Sequence, residues 1–184
     1  MSGKLVVFIA GSPSPVSRSS AVARSVAARL EGLGYATYWL DVRDFDPGDV
    51  FFARSDASSV KRLVESVRRA AAVVFSTPVY KATYAGTLKA LVDLVPPDAL
   101  VGKPVLAIGT TWLEAHGAEL ARSFDALFAF FQARPVGTLV ALDAQVTVGE
   151  TGSVLAAAVD ERIATVVRGL ALALDARLDD VRSL

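Results

Sequence analysis

Short, continuous apolar runs bounded by turn residues constrain the fold of this chain more than any other feature. Leu5–Ala10 is apolar throughout and is followed by glycine and proline, and a second such run ends at Ser76. A strand without polar alternation has both faces covered, which is typical of a parallel sheet packed between helices. The runs therefore predict an α/β protein in which each strand is followed by a helix.

The segments between these runs carry apolar residues at helical spacing. The predicted strands are Leu5–Ala10, Tyr35–Leu40, Ala72–Ser76, Pro104–Gly109 and Val136–Leu142. The predicted helices are Ala21–Leu30, Ser58 or Ser59 to Ala70, Tyr84–Leu94, Glu114–Ala133 and one long amphipathic helix within Gly149–Leu178, while Asp41–Arg54 is predicted to be irregular. We therefore expect a three-layer α/β sandwich with a flavodoxin-like, five-stranded parallel sheet of order 2-1-3-4-5. Residues 1–184 are predicted to form a single domain.

The composition argues against several functional classes. The 184 residues include 19 basic and 19 acidic side chains and no basic stripe, so nucleic acid is a poor candidate for a partner. Cysteine is absent, which excludes disulfides, thiolate metal sites and a cysteine nucleophile, and is typical of a cytoplasmic protein. No apolar run is long enough to cross a bilayer, and Leu5–Ala10 is too short for a signal peptide. His116 is the single histidine and no carboxylate cluster has metal-site spacing, so we expect no bound metal.

The loop after the first strand combines hydroxyl groups with one cation. Ser12, Ser17, Ser19 and Ser20 supply the hydroxyls and Arg18 the charge, just where a helix begins. Free N–H groups and the positive end of the helix dipole favour an anion there, so the loop predicts a phosphate site. The alternative is a serine-rich turn with an ordinary helix cap. Because neither Gly-x-Gly-x-x-Gly nor Gly-x-x-x-x-Gly-Lys-Ser/Thr is present, a mononucleotide is favoured over a dinucleotide or a P-loop ligand.

Two further loops are expected at the same edge of the sheet. Thr77–Lys81 is predicted to be a tight strand–helix turn whose amides bind the edge of an electron-rich ring. Gly109–Trp112 ends the fourth predicted strand and would complete the crevice. Tyr80 and Trp112 have an alternative role, which is packing at a subunit contact. His116 could donate a proton, but no carboxylate lies near it in the sequence, so we assign no catalytic residue.

These motifs resemble those of a known family. The matching segments are Gly11-Ser12-Pro13, Ser17-Arg18-Ser19-Ser20, Thr77-Pro78-Val79-Tyr80-Lys81-Ala82 and Leu91-Val92-Asp93-Leu94-Val95-Pro96. Together they are similar to the NADPH-dependent FMN reductases, and in particular to the alkanesulfonate-utilisation branch. Ala53-Arg54 and Ala115-His116 also fit that branch.

The resemblance implies that FMN binds across the three loops. The implied contacts are Ser12, Arg18, Ser19 and Ser20 around the phosphate, with Ser17 in the same loop, then Pro78, Val79, Tyr80 and Lys81 along the isoalloxazine, and Gly109, Thr110 and Thr111 on the other side of the ring. Family members transfer hydride from NADPH to FMN and supply reduced flavin to a two-component monooxygenase, as in sulfonate desulfonation. Hydride transfer of this kind needs no side-chain acid or base, which agrees with a chain poor in catalytic candidates.

The sequence leaves open which acceptor the flavin would reduce. The same flavin could serve a quinone, azo-dye or metal-ion reductase, or a non-enzymatic flavodoxin-like electron carrier, although the zero net charge argues against the carrier. The choice of NADPH or NADH, and whether FMN is exchanged or retained, also stay open. The resemblance further implies a homodimer or homotetramer. An apolar cluster independently favours subunit contacts, and it consists of Trp112, Leu113, Phe124, Leu127, Phe128, Phe130 and Phe131.

Overall fold

The computed structural model describes residues 3–149 and 152–182. The strands are β1 (Leu5–Ala10), β2 (Ala36–Asp41), β3 (Ala72–Tyr80), β4 (Thr83–Tyr84), β5 (Pro104–Thr111), β6 (Arg134–Leu142), β7 (Val146–Gly149) and β8 (Gly152–Leu155). The helices are α1 (Arg18–Gly32), α2 (Pro47–Phe51), α3 (Ser58–Arg69), α4 (Gly86–Val92), α5 (Ala115–Phe130) and α6 (Ala157–Arg182). Single 3₁₀ turns occupy Val42–Asp44 and Asp143–Gln145.

Five parallel strands form the main sheet in the order β2-β1-β3-β5-β6. Counted among the parallel strands alone, this is the predicted order 2-1-3-4-5, which is confirmed. The register places Ala10 of β1 beside Ser76 of β3, and Pro78 of β3 beside Thr110 of β5. The loops that follow these strands therefore meet at one edge of the sheet, as parallel topology requires.

An apolar core lies on each side of the sheet. On one side α1 and α6 bury residues such as Val26 and Ile163 against the strands. On the other side α3, α4 and α5 bury residues such as Leu63, Leu88 and Phe124. Fully burying a side chain of this size contributes about 1.5–3 kcal/mol, so these helix faces fix the layer arrangement. The three-layer α/β sandwich is confirmed.

The predicted strand–helix turn at Thr77–Lys81 is wrong. β3 continues to Tyr80 because β5 is long enough to pair with it as far as Pro78. The chain then reverses and β4 pairs antiparallel with the end of β3, with Tyr80 opposite Thr83. The two residues of the turn, Lys81 and Ala82, have φ of 53° and 67°. Positive φ at both positions is the requirement of a type I′ hairpin, and the sequence lacks the Asn-Gly signal that usually announces one.

The C-terminal prediction is also corrected in part. The helix begins at Ala157, because β7 and β8 form a separate antiparallel ribbon before it. Val154 and Leu155, expected on the apolar face of that helix, lie in β8 instead, where Val154 is 72% exposed and Leu155 is partly buried. Ala158, expected on the same face, is exposed. The rest of the predicted face packs on the sheet, through Val159, Ile163, Val167, Leu170 and Leu174, with Val166 partly buried.

The segment predicted to be irregular contains a short helix. Asp46 caps α2 by accepting hydrogen bonds at Oδ1 from the N–H groups of Gly48 and Asp49, and Pro47 occupies the first turn. This cap with proline is a standard helix start that the sequence already carries. Within the described residues, none of the helices is sufficiently long and apolar to cross a membrane.

The structure buries part of the apolar cluster that favoured subunit contacts and leaves the other part exposed. Phe124, Phe128 and Phe131 are buried inside the protomer, where Phe124 and Phe128 pack against Phe75. They are core residues, so that part of the argument for oligomerisation is wrong. Leu127 is partly buried against the same core, and the exposed members of the cluster are Trp112, Leu113 and Phe130.

Candidate functional site

A cleft of about 640 Å³ lies at the carboxyl edge of the sheet. It is lined by Ser12, Ser14, Val16, Ser17, Arg18, Pro78, Val79, Tyr80, Lys81, Thr110, Trp112, His116 and Asp143. These residues come from the loop after β1, the β3–β4 hairpin, the end of β5 with the start of α5, and the turn after β6. The topology therefore brings four separate parts of the chain around one space.

One end of the cleft is the N-terminus of α1. Ser17 is the cap residue, and its Oγ accepts a hydrogen bond of 3.1 Å from the N–H of Ser20 and lies 3.2 Å from the Oγ of Ser19. A helix start leaves four N–H groups without intrahelical partners, and the cap satisfies one of them here. The first turn carries no acidic residue. This end of the cleft is therefore suited to an anion.

Arg18 adds a cation to the same end. Its side chain is exposed, and its Nε donates a hydrogen bond of 3.1 Å to the carbonyl oxygen of Val146 at the start of β7. This bond holds the guanidinium at the mouth of the cleft while its terminal nitrogens remain able to bind an anion in the bidentate manner typical of arginine. The sequence could not reveal the link, because 128 positions separate the two residues.

Two hydrogen bonds to the backbone of its first residue hold the loop between β1 and α1 in place. The N–H of Gly11 donates to the carbonyl oxygen of Ser76 at 2.8 Å, and Thr87 Oγ1 donates to the carbonyl oxygen of Gly11 at 2.7 Å. A Cβ built at Gly11 would lie 2.9 Å from the Cα of Leu88, so only glycine allows this close approach to α4. These contacts fix the start of the loop at residues 11–17, which we call the serine loop.

The β3–β4 hairpin forms a second wall. Pro78, Val79, Tyr80 and Lys81 line the cleft, and Tyr80 is 49% exposed. The hairpin is tied to α4 by Thr77, whose Oγ1 accepts a hydrogen bond of 2.9 Å from the N–H of Ala85. Through Pro78, Val79 and the Tyr80 ring, this wall offers apolar surface in the same cleft as the anion-binding end.

The end of β5 and the start of α5 form the third wall. Thr110 lines it, together with Trp112, which is 77% exposed, and the half-buried His116. Thr111 is buried and engaged in the turn, because its Oγ1 donates to the carbonyl oxygen of Leu113 at 3.1 Å and accepts from the N–H of Leu113 at 3.2 Å.

The structure brings most of the sequence-predicted site residues together around the cleft and leaves the others outside its lining. Those that line it are Ser12, Ser17, Arg18, Pro78, Val79, Tyr80, Lys81 and Thr110, and those outside its lining are Ser19, Ser20, Gly109 and Thr111. At Gly109 a Cβ would collide with the side chain of Leu120, so this glycine admits α5 to the sheet.

The sequence reasoning missed three lining residues, Ser14, Val16 and Asp143. Asp143 directly follows β6, so the rule that ligands bind beyond the carboxyl ends of parallel strands would have found it.

The cleft fits a phosphorylated planar ring better than a metal. Its helix start and Arg18 suit a phosphate, and Pro78, Tyr80 and Trp112 offer apolar and aromatic surface to a ring. Among the described residues, no group of three His, Cys, Asp or Glu side chains is placed to hold a metal ion.

Comparisons with known proteins agree with this geometry. A family described as NADPH-dependent FMN reductase matches residues 4–147. A protein named FMN reductase (NADPH) from Escherichia coli K12 is 40% identical over 111 residues, which cover 60% of this chain and 58% of the relative. The matched region thus spans less than two thirds of that relative. NADH-dependent FMN reductase SfnF of Pseudomonas putida is 31% identical over 147 residues, which cover 76% of this chain and 78% of the relative.

A solved structure shares the fold. The apo form of the NADH:FMN oxidoreductase EmoB superposes with a TM-score of 0.83 at 24% identity, covering 92% of this chain and 89% of that one. At this identity the likeness shows the fold alone. The family match covers most of the chain and includes both the serine loop and the β3–β4 hairpin, so the chain belongs to the NADPH-dependent FMN reductase family.

Proposed function

We propose that this protein is an NAD(P)H-dependent FMN reductase that transfers hydride from a nicotinamide nucleotide to FMN. The observation that carries the proposal is the pairing of a helix start suited to an anion, including Arg18, with a hairpin wall that includes the Tyr80 ring, in one cleft. FMN carries a phosphate that suits the helix start and a planar ring that suits the hairpin wall. The names of the curated relatives support the same activity.

Each wall has a distinct role in the proposal. Arg18 and the first turn of α1 bind the phosphate, and the cap residue Ser17 keeps that turn in place. Pro78, Val79, Tyr80 and Lys81 position the ring edge-on along the hairpin. The flavin itself supplies the hydride-accepting chemistry, and the protein contributes binding, orientation and electrostatics. His116 also lines the cleft, and the proposal gives it no part in proton transfer.

The finer aspects of function are part of the same proposal. We infer that reduced FMN passes to a flavin-dependent monooxygenase and that the protein works as a homodimer or homotetramer, as the sequence resemblance implies. Of the exposed residues of the apolar cluster, Leu113 and Phe130 lie outside the cleft lining and are available for subunit contacts. The relatives' names include both NADPH and NADH, so they leave the preferred nucleotide open.

Steady-state oxidation of NADPH and NADH, with and without added FMN, tests the proposal. We expect oxidation to require FMN and to continue for many turnovers with FMN in excess. If oxidation proceeds only when a quinone is added to protein that retains its flavin, the protein is a quinone reductase and the proposed acceptor is wrong. A visible spectrum of the purified protein, and of its heat-released supernatant, shows separately whether flavin is retained.

A further inference from the structure

Trp112 lines the cleft, and the rest of the chain covers little of its side chain. Its side chain is 77% exposed, although it is the largest apolar residue of the third wall. The backbone beneath it is fixed, because the Thr111 side chain bonds both the N–H and the carbonyl of Leu113. A rigid turn therefore presents an indole to the cleft and leaves its faces free for a planar partner.

The hairpin wall with Tyr80 lines the same cleft. An aromatic ligand bound in the cleft would contact this wall with its edge and Trp112 with one face, which leaves the opposite face open to a nicotinamide. Stacked aromatic pairs contribute binding free energy beyond their area burial, and covering an exposed tryptophan adds a hydrophobic contribution.

We propose that Trp112 is a positioning residue that stacks on the isoalloxazine and slows release of the flavin from the cleft. This inference rests on the proposed function. It assigns the ring to Trp112 and the phosphate to Arg18, so the two residues contribute separately to affinity. The contribution of Trp112 is then the same for FMN and for riboflavin, which lacks the phosphate.

The chain offers a matched control in its second tryptophan. Trp39 lies on β2, where its ring stacks on Phe8 with centroids 4.7 Å apart and the Arg24 guanidinium lies 4.7 Å from its centroid. It does not line the cleft.

The test measures flavin affinity and the fluorescence of bound flavin under visible excitation, which does not excite tryptophan. An indole stacked on a flavin quenches the flavin fluorescence, so FMN bound to the wild type should be only weakly fluorescent. Trp112→Ala should raise the Kd of FMN and of riboflavin alike, by about ten-fold, and make the bound flavin brighter. Trp112→Phe should restore most of the affinity and less of the quenching. Trp39→Phe should change neither property.

The outcomes separate this inference from the proposed function. If the wild type binds FMN but Trp112→Ala leaves the Kd within about two-fold and the bound flavin equally dark, the role of Trp112 is overturned and the FMN site stands. If the wild type takes up neither flavin, the proposed function fails and the inference fails with it. Because Trp112 is exposed, Trp112→Ala should leave the unfolding midpoint unchanged, which shows that lost affinity is not lost folding.

Discussion

Arg18, the first residue of α1, donates a hydrogen bond from Nε to the carbonyl oxygen of Val146, at the first residue of β7. The bond joins the serine loop to the small ribbon that precedes α6. It restricts the guanidinium before any ligand binds, and a preorganised cation loses less entropy when it binds an anion. The β7–β8 ribbon, which the sequence did not predict, thus acts on the candidate phosphate site through one backbone carbonyl.

Replacing Arg18 should affect FMN far more than riboflavin. Arg18→Ala removes a charge-assisted contact to phosphate, so the Kd of FMN should rise by about ten- to a hundred-fold while the Kd of riboflavin stays nearly constant. Equilibrium titration with both flavins measures this difference. Arg29→Ala is the matched control, because Arg29 lies in the last turn of the same helix and pairs with Asp160. Equal losses for both flavins would remove the phosphate role of Arg18.

Adjacent hydroxyls in the middle of β3 should have different effects on stability. Ser76 Oγ is buried and, within the described part of the chain, has no hydrogen-bond partner. Thr77 Oγ1 accepts from the N–H of Ala85. Ser76→Ala should therefore be neutral or raise the free energy of unfolding by about 1 kcal/mol, whereas Thr77→Val should lower it by about 1–3 kcal/mol because a buried N–H loses its acceptor.

Urea denaturation of both variants beside the wild type measures these changes. A clear loss of stability in Ser76→Ala would show that the hydroxyl has a partner in solution, such as an ordered water molecule.

The hairpin turn carries backbone strain that glycine should relieve. Ala82 has a φ of 67°, a conformation that costs an L-residue roughly 1 kcal/mol and costs glycine little. Ala82→Gly should therefore raise the free energy of unfolding by about 0.5–1 kcal/mol. Ala90→Gly, in the middle of α4, is the matched control and should lower it by a similar amount. If both substitutions destabilise the protein equally in urea, the turn is not strained.

Local sequence patterns predicted the elements of this fold better than their ends. β1 was predicted at its observed bounds because an apolar run between turn residues has one interpretation. β3 extends beyond its predicted end at Ser76, because its last residues pair with β5 and β4. The local sequence pattern contains no sign of that pairing. The β7–β8 ribbon was missed since Val154 and Leu155 also fit the helical spacing of the segment that follows.

The candidate site was predictable where it depends on a rule about parallel sheets. Ser12, Ser17 and Arg18 follow β1, and that rule brings them to the cleft. The bond from Arg18 to Val146 joins residues far apart in the chain, and no local pattern contains it. The same applies to Gly109, whose role is to admit the side chain of Leu120 from α5.

Asp41, the last residue of β2, should make stability depend on acid pH. Burial works to raise the pKa of Asp41, but hydrogen bonds from the side chain and backbone of Arg43 outweigh it and hold the pKa below its ordinary value. Arg43 donates from its backbone N–H at 2.9 Å, from Nε at 2.8 Å and from Nη2 at 2.6 Å. A carboxyl group whose pKa is lowered by folding stabilises the folded state above its unfolded pKa, and this contribution is lost as the pH falls through the folded pKa.

Asp41→Asn should therefore lower the free energy of unfolding by about 1 kcal/mol near neutral pH, and the difference from the wild type should shrink below about pH 4. Urea titrations from neutral to acid pH measure the two curves. Asp98→Asn is the control, because the pKa of Asp98 is also lowered, first by its hydrogen bond from Arg68, but both side chains are exposed. Water and salt screen that pair, so its effect should be smaller and should fade as salt is added. A pH-independent loss in Asp41→Asn would instead mean that the carboxylate charge is unimportant and only the shape of the turn matters.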